Sequence, residues 1–197
     1  MLIAVEGIDG TGKTTISKYI VEILRKKGFD CVLLREPGDS KYGKKLRNAR
    51  KRLEPEMESE LFILDREEDV KNNIIPALKN GKIVVMDRYY YSNVAYQGAR
   101  GLDPGKIKEK NERIAPKPDL VILLDAKPEI AIERIKLRGE MTPFEDLEYL
   151  KKVRENFKKY ADSNTVVIDA TKPLEDVKRE VREIICRIIK NQPQAKL

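Results

Sequence analysis

The chain has 197 residues, 41% of them hydrophobic and 37% charged, with a formal net charge of +7. It is long enough to close a single core and has no apolar run near the ~18 residues that span a bilayer, so one cytoplasmic domain is predicted, with nucleotides or nucleic acid as anionic partners. Histidine is absent, which excludes Ser-His and Cys-His nucleophiles and His metal sites and leaves chemistry to Lys, Arg, carboxylates, hydroxyls and backbone amides.

The predicted elements begin with an apolar strand over Leu2–Glu6 that lacks the flanks of a cleavable signal peptide. A glycine-rich loop leads into a helix over Lys13–Lys27, stopped by Gly28, and a second strand covers Cys31–Leu34. Helices follow over Lys41–Arg52, the densest basic run, and Glu56–Asn80, then a buried-type strand over Lys82–Met86. Helices over Ser92–Ala99 and Pro104–Ile114 lead to a strand at Leu120–Leu124, and Pro128 opens a helix that runs to Leu137. The segment Arg138-Gly139-Glu140-Met141-Thr142-Pro143 interrupts the helical pattern and predicts a flap, about residues 138–146. A helix over Glu145–Tyr160, a strand over Thr165–Ile168 and a helix over Leu174–Lys190 complete the fold, with 191–197 as a frayed tail.

Alternating apolar runs and helical patterns predict an α/β fold, a five-stranded parallel sheet with helices on both faces. Cys31 and Cys186 lie in apolar patterns without metal spacing and read as buried free thiols. The density of Lys and Glu resembles thermophile composition.

Residues Gly7-Ile8-Asp9-Gly10-Thr11-Gly12-Lys13-Thr14 satisfy G-x-x-x-x-G-K-[ST] between a strand and a helix. Glycines at those positions let successive N–H groups point inward and form an anion nest at a helix N-terminus. Lys13 then reaches the β- and γ-phosphates of ATP and the Thr14 hydroxyl ligates Mg2+. Asp9 holds that magnesium or contacts an acceptor group near the γ-phosphate. Asp87-Arg88 follows a buried strand, so both lie at the carboxyl edge of the sheet beside the loop. Asp87 is placed to orient magnesium through its waters, and Arg88 to clamp an incoming phosphate.

These residues carry a resemblance to the thymidylate kinase family over nearly the whole chain. Its segments are Val5-Glu6-Gly7-Ile8-Asp9-Gly10 through Thr15, Arg35-Glu36-Pro37-Gly38, Phe62 with Arg66, and Asp87-Arg88-Tyr89 to Ser92-Asn93-Val94-Ala95-Tyr96-Gln97-Gly98. Arg134, Arg138-Gly139 and Asp169-Ala170 complete them. The resemblance implies a homodimeric, Mg2+-dependent kinase that moves phosphate from ATP to dTMP. By residue pattern alone Phe62 belongs in the core and Arg66 on the surface. The resemblance implies instead that Phe62 stacks on the pyrimidine and Arg66 donates to a thymine carbonyl. It likewise implies that Tyr96 packs beside the sugar, Asn93 and Gln97 meet the base edge, and Glu36, Pro37 and Arg47 lie along the acceptor phosphate. The stretch Asp9-Gly10-Thr11 contains no basic residue, so Arg138 is implied as the lid cation, with Arg134 near the adenine beside Asp169–Pro173. Other readings are another nucleotide or deoxynucleoside kinase, or a nucleotide-binding regulator that contacts nucleic acid through the basic Lys41–Arg52 helix.

Overall fold

The structure is a computed structural model that describes residues 1–49, 51–137, 139 and 146–191. Arg138, most of the expected flap and residues 192–197 lie outside the described residues. Five parallel strands form one sheet in the order β2-β3-β1-β4-β5: β1 Leu2–Glu6, β2 Cys31–Arg35, β3 Ile83–Asp87, β4 Leu120–Asp125 and β5 Thr165–Asp169. The helices are α1 Lys13–Lys26, α2 Lys41–Arg47, α3 Pro55–Asp69, α4 Ile75–Lys79, α5 Tyr90–Gly98, α6 Pro104–Ile114, α7 Pro128–Lys136, α8 Leu147–Lys159 and α9 Leu174–Ile188.

Strand alternation divides the core into two layers around the sheet. Ile3 and Val5 of β1 pack with Ile16, Ile20 and Leu24 of α1 and Val181 and Ile185 of α9. Leu2 and Ala4 face the other way, onto a layer holding Tyr89, Tyr90, Ala95, Val153 and Phe157. The three inner strands are buried nearly throughout, whereas edge strands β2 and β5 are partly open, with Val167 half exposed. Cys31 is buried and Cys186 only half-buried, and both are free thiols.

Departures from the expected helices have a visible physical cause at α2, after α3 and at α5. The basic helix ends at Arg47 rather than Arg52. Its like charges stack at helical spacing with no acidic partner between them, and Arg52 is drawn away to the ring and hydroxyl of Tyr149 and to Glu58. The stretch expected as one helix over Glu56–Asn80 widens into a π turn at Val70–Ile74. Pro76 lacks an N–H and its ring crowds the carbonyl four residues back, at Asn72, which a wider turn relieves. Finally, α5 starts at Tyr90, two residues earlier than expected. Its cap comes from another strand: the Glu6 carboxylate accepts from Tyr89 N–H at 2.8 Å, Ser92 N–H at 3.2 Å and the Ser92 hydroxyl at 2.6 Å.

Strand β1 lies between strands reached by opposite crossovers, so its carboxyl end opens on the crevice where α/β sheets bind ligands. The pairing of Val5 with Asp87 sets Asp87 and Arg88 beside the start of the glycine-rich loop.

Candidate active site

The loop between β1 and α1 has the backbone its glycines predict. Gly7 and Gly10 have φ of 141° and 84°, and a Cβ on them would meet Leu124 O at 2.4 Å and Ala131 O at 2.3 Å. The loop is therefore wedged between β4 and α7, which fixes the direction of its amides. Thr11 Oγ donates to Ile8 O at 2.8 Å. Lys13 Nζ donates to the same carbonyl at 2.7 Å and lies 3.8 Å from Asp9. Burial first, then the Arg88 charge, holds the Lys13 ammonium down at about 7. An anion in the nest would favour its charged form.

Thr14 Oγ donates to Asp87 Oδ2 at 2.6 Å, which brings together the hydroxyl and carboxylate expected around magnesium. Among the described residues no three carboxylates, cysteines or histidines cluster as a metal cage. A single hydroxyl–carboxylate pair suits an ion that takes its other ligands from phosphates and water. Asp9 meets Arg88 and Tyr96, two residues expected at the acceptor: its carboxylate takes one hydrogen bond from Arg88 and one at 2.8 Å from the Tyr96 hydroxyl, which accepts from Asp9 N–H at 3.0 Å.

Arg88 has φ 72°, the one described non-glycine residue with positive φ. Such a conformation in a long side chain persists only where its surroundings enforce it. Its amide is tied to Val5 O at 3.1 Å, and Glu6 holds the next amide. Its guanidinium meets Asp9, lies 3.3 Å from Ser92 Oγ and covers the Tyr96 ring at 5.4 Å. Burial opposes the Arg88 cation, but Asp9 and Tyr96 more than offset this and raise its pKa. Burial also pushes the Glu6 carboxyl up to about 7, against the pull of Ser92 and Tyr89.

The proposed base-edge residues occupy a buried polar layer between α3, α5 and α6. Arg66 is buried, not a surface charge; Nε donates to Glu36 Oε1 at 2.8 Å, one terminal nitrogen donates to Glu36 Oε2, and the other to Asn111 Oδ1. Glu36 thus holds Arg66 rather than presenting a carboxylate to a phosphate. Burial drives the Glu36 carboxyl up to about 7 while Arg66 pulls it down. Asn93 and Gln97 are buried beside this pair, and Phe62, half-buried, lies one turn before Arg66 on α3. Arg47 donates to the carbonyls of Pro37 (2.7 Å) and Gly38 and pairs with Asp39 at 2.9 Å. It is exposed and lies against the Pro37–Asp39 loop, whose Pro37 was expected beside it along the acceptor phosphate.

On the far side of the glycine-rich loop, Arg134 donates to Ala170 O at 2.7 Å. A cleft of about 260 Å3 there is lined by Gly10, Gly12, Thr15, Arg134, Ala170 and Lys172. A second cavity of about 200 Å3 is lined by Asp9, Lys13, Thr14, Arg35, Asp87 and Arg88. The two cavities share Gly10, Gly12, Thr15 and Arg134.

Three contributors escaped the sequence reading: Glu6 as the cap of α5, Asp65, and Asn111. Asp65 accepts from Gly38 N–H at 2.7 Å and Ser40 Oγ at 2.6 Å and so fixes the Glu36–Gly38 loop to α3. Only Asn111 carries a signal in the sequence, since it falls four residues after Ile107 and three before Ile114, on the apolar stripe of an otherwise charged helix.

A sequence model of the family described as Thymidylate kinase matches residues 5–181. A "Probable thymidylate kinase" of Archaeoglobus fulgidus is 62% identical over 185 residues, covering 94% of each chain. One of the same description from Pyrococcus horikoshii is 41% identical over 93% of this chain and 94% of its own. A "Thymidylate kinase" of Xanthomonas euvesicatoria is 42% identical over 94% of this chain and 83% of its own.

Proposed function

The chain belongs to the thymidylate kinase family, and on that premise we propose that it moves the γ-phosphate of ATP to dTMP, giving dTDP and ADP on the way to dTTP. One observation carries the reading: Arg88 and Tyr96, on the acceptor side, are hydrogen-bonded to Asp9 of the phosphate-binding loop. Two anionic substrates are thereby brought end to end.

The acceptor phosphate oxygen is already a nucleophile, so no histidine base is required, and catalysis consists of alignment and charge neutralisation. ATP lies along Gly7, Ile8, Asp9, Gly10, Thr11, Gly12, Lys13 and Thr14 with its adenine in the cleft at Arg134. Lys13, Arg88 and Arg138 supply cations to the transferring group. Thr14, with Asp87 behind it, would hold Mg2+, which would supply positive charge to the phosphates. dTMP lies with its phosphate toward Arg47, Pro37 and Arg88, its sugar beside Tyr96, its ring on Phe62 and its edge at Arg66 and Asn93. Glu36 and Gln97 act from behind these two.

A coupled ADP-release assay tests this directly. ADP release with dTMP and Mg2+, but not with thymidine or without the metal, is expected. Turnover of thymidine in preference to dTMP, or of all monophosphates alike, would overturn the assignment.

We also place the protein in the cytoplasm, and among the described residues no helix is long and apolar enough to cross a membrane. A groove of about 640 Å3 between α3 and α6 is lined by Met57, Leu61, Leu102 and Ile107 together with Glu56 and Glu60 of α3 and Lys106 and Lys110 of α6, opposite charges that a two-fold partner would set against each other. We assign a second copy of the chain to it, as in the expected homodimer. Sedimentation equilibrium should give twice the 22.7 kDa chain mass, and a Met57→Lys variant should sediment as monomer.

A further inference from the structure

A continuous line of buried hydrogen bonds runs through the polar layer, and its two ends decide its direction. At one end Arg66 has only N–H donors, so the Asn111 atom facing it is the acceptor Oδ1. The Asn111 amide nitrogen therefore points the other way, donating to Asn93 Oδ1 at 3.0 Å and to Ile107 O at 2.8 Å. Asn93 must then turn its nitrogen onward, to Gln97 Oε1 at 2.9 Å and Ser59 Oγ at 3.3 Å. Gln97 in turn donates to Glu58 Oε2 at 2.8 Å, and this buried carboxylate, also bound by Arg100 at 2.8 Å, accepts only. A donor-only group at one end and an acceptor-only group at the other leave three consecutive amides a single orientation.

Two kinds of hydrogen-bonding capacity remain unused. Arg66 has five N–H groups, of which three are engaged among the described residues, and Asn93 Oδ1 keeps its second lone pair. The layer therefore offers donors at Arg66 and an acceptor at Asn93. A thymine edge presents the complement, the O4 acceptor next to the N3–H donor. A cytosine edge presents the reverse, an amino donor next to an N3 acceptor.

We infer that Asn111 is a specificity-determining positioning residue: wedged between Arg66 and Asn93, it locks the amide polarity that admits thymine and rejects cytosine. This rests on the dTMP reading above and on its placement of the base at Arg66 and Asn93. Asn111 is wholly buried in the apolar face of α6, so it acts through its two neighbours and does not touch the base.

The test compares dTMP with 5-methyl-dCMP, which keeps the methyl group and reverses only the edge. In Asn111→Asp the side chain keeps its shape, and one carboxylate oxygen still accepts from Arg66. The other now faces Asn93 Oδ1 and forces that amide to turn. The kcat/KM ratio of dTMP to 5-methyl-dCMP should fall by about tenfold or more relative to wild type, through a higher KM for dTMP, with the KM for ATP unchanged. Asn111→Ser, whose hydroxyl can donate or accept, should also narrow the ratio and serves as the measurement if the Asp variant does not fold. An unchanged ratio in the folded variant, or an equal loss of kcat on both substrates, overturns the inference. If wild type itself does not phosphorylate dTMP, the functional reading has failed instead.

Discussion

Replacing Arg88 with Ala is expected to lower kcat/KM for dTMP by about a thousandfold, mostly in kcat, because the cation acts where charge accumulates in the transition state. Arg88→Lys should recover only a small part of this, since an ammonium cannot reproduce the planar fork that grips two oxygens. The informative variant is Arg88→Gly. The arginine stands at φ 72°, a conformation that costs a side-chain-bearing residue about 1–2 kcal/mol and costs glycine little. Glycine loses the contact with Asp9, but that carboxylate keeps the Tyr96 hydroxyl at 2.8 Å. The two effects oppose each other, and the melting temperature should stay within about 4 °C of wild type, while turnover falls as far as in the Ala variant. Activity and stability then separate, as they do when backbone strain is maintained for function. A large drop in melting temperature with modest loss of turnover would mark Arg88 as a structural clasp and remove it from the reaction.

What the sequence shows about this fold depends on the range of the interactions involved. The inner strands, the glycine-rich loop and the placement of Asp87-Arg88 are legible because each is set by local pattern: apolar runs, glycines at fixed spacing, and a strand end. The strained turn at Arg88 is not, since its support comes from Glu6, more than eighty residues earlier, whose carboxylate caps α5 across the sheet. The same cause displaced the expected start of α5. Arg66 illustrates the opposite limit. By local pattern it is a surface charge, and only its partners, Glu36 thirty residues before and Asn111 forty-five after, make a fully buried guanidinium tenable. The overextended basic helix failed on a further point, because helical spacing says nothing of the ring at Tyr149 and the carboxylate at Glu58 that claim Arg52.

Breaking the Arg66–Glu36 pair should have the largest effect on stability. Arg66→Met leaves a fully buried carboxyl whose two charge-assisted hydrogen bonds are gone, a change that costs about 3–5 kcal/mol in comparable buried pairs. The cost should depend on pH. Burial already drives the Glu36 carboxyl to about 7 with Arg66 present, and removing the arginine drives it higher. A carboxyl whose folded pKa is raised binds a proton that the unfolded chain has released, so stability falls as pH climbs from the unfolded value near 4.5 toward the folded one. The deficit of Arg66→Met, measured by urea denaturation, should therefore be smaller at pH 5 than at pH 8. Replacing both partners in Glu36→Met/Arg66→Met removes the unpaired charge as well and should regain most of the lost stability, short of what Asn111 loses with its donor. It should not regain dTMP turnover, because no donor then faces the base. A double variant that turns over dTMP normally would show that the pair only fills the core. A single variant as stable at pH 8 as at pH 5 would show that Glu36 reaches water once Arg66 is removed.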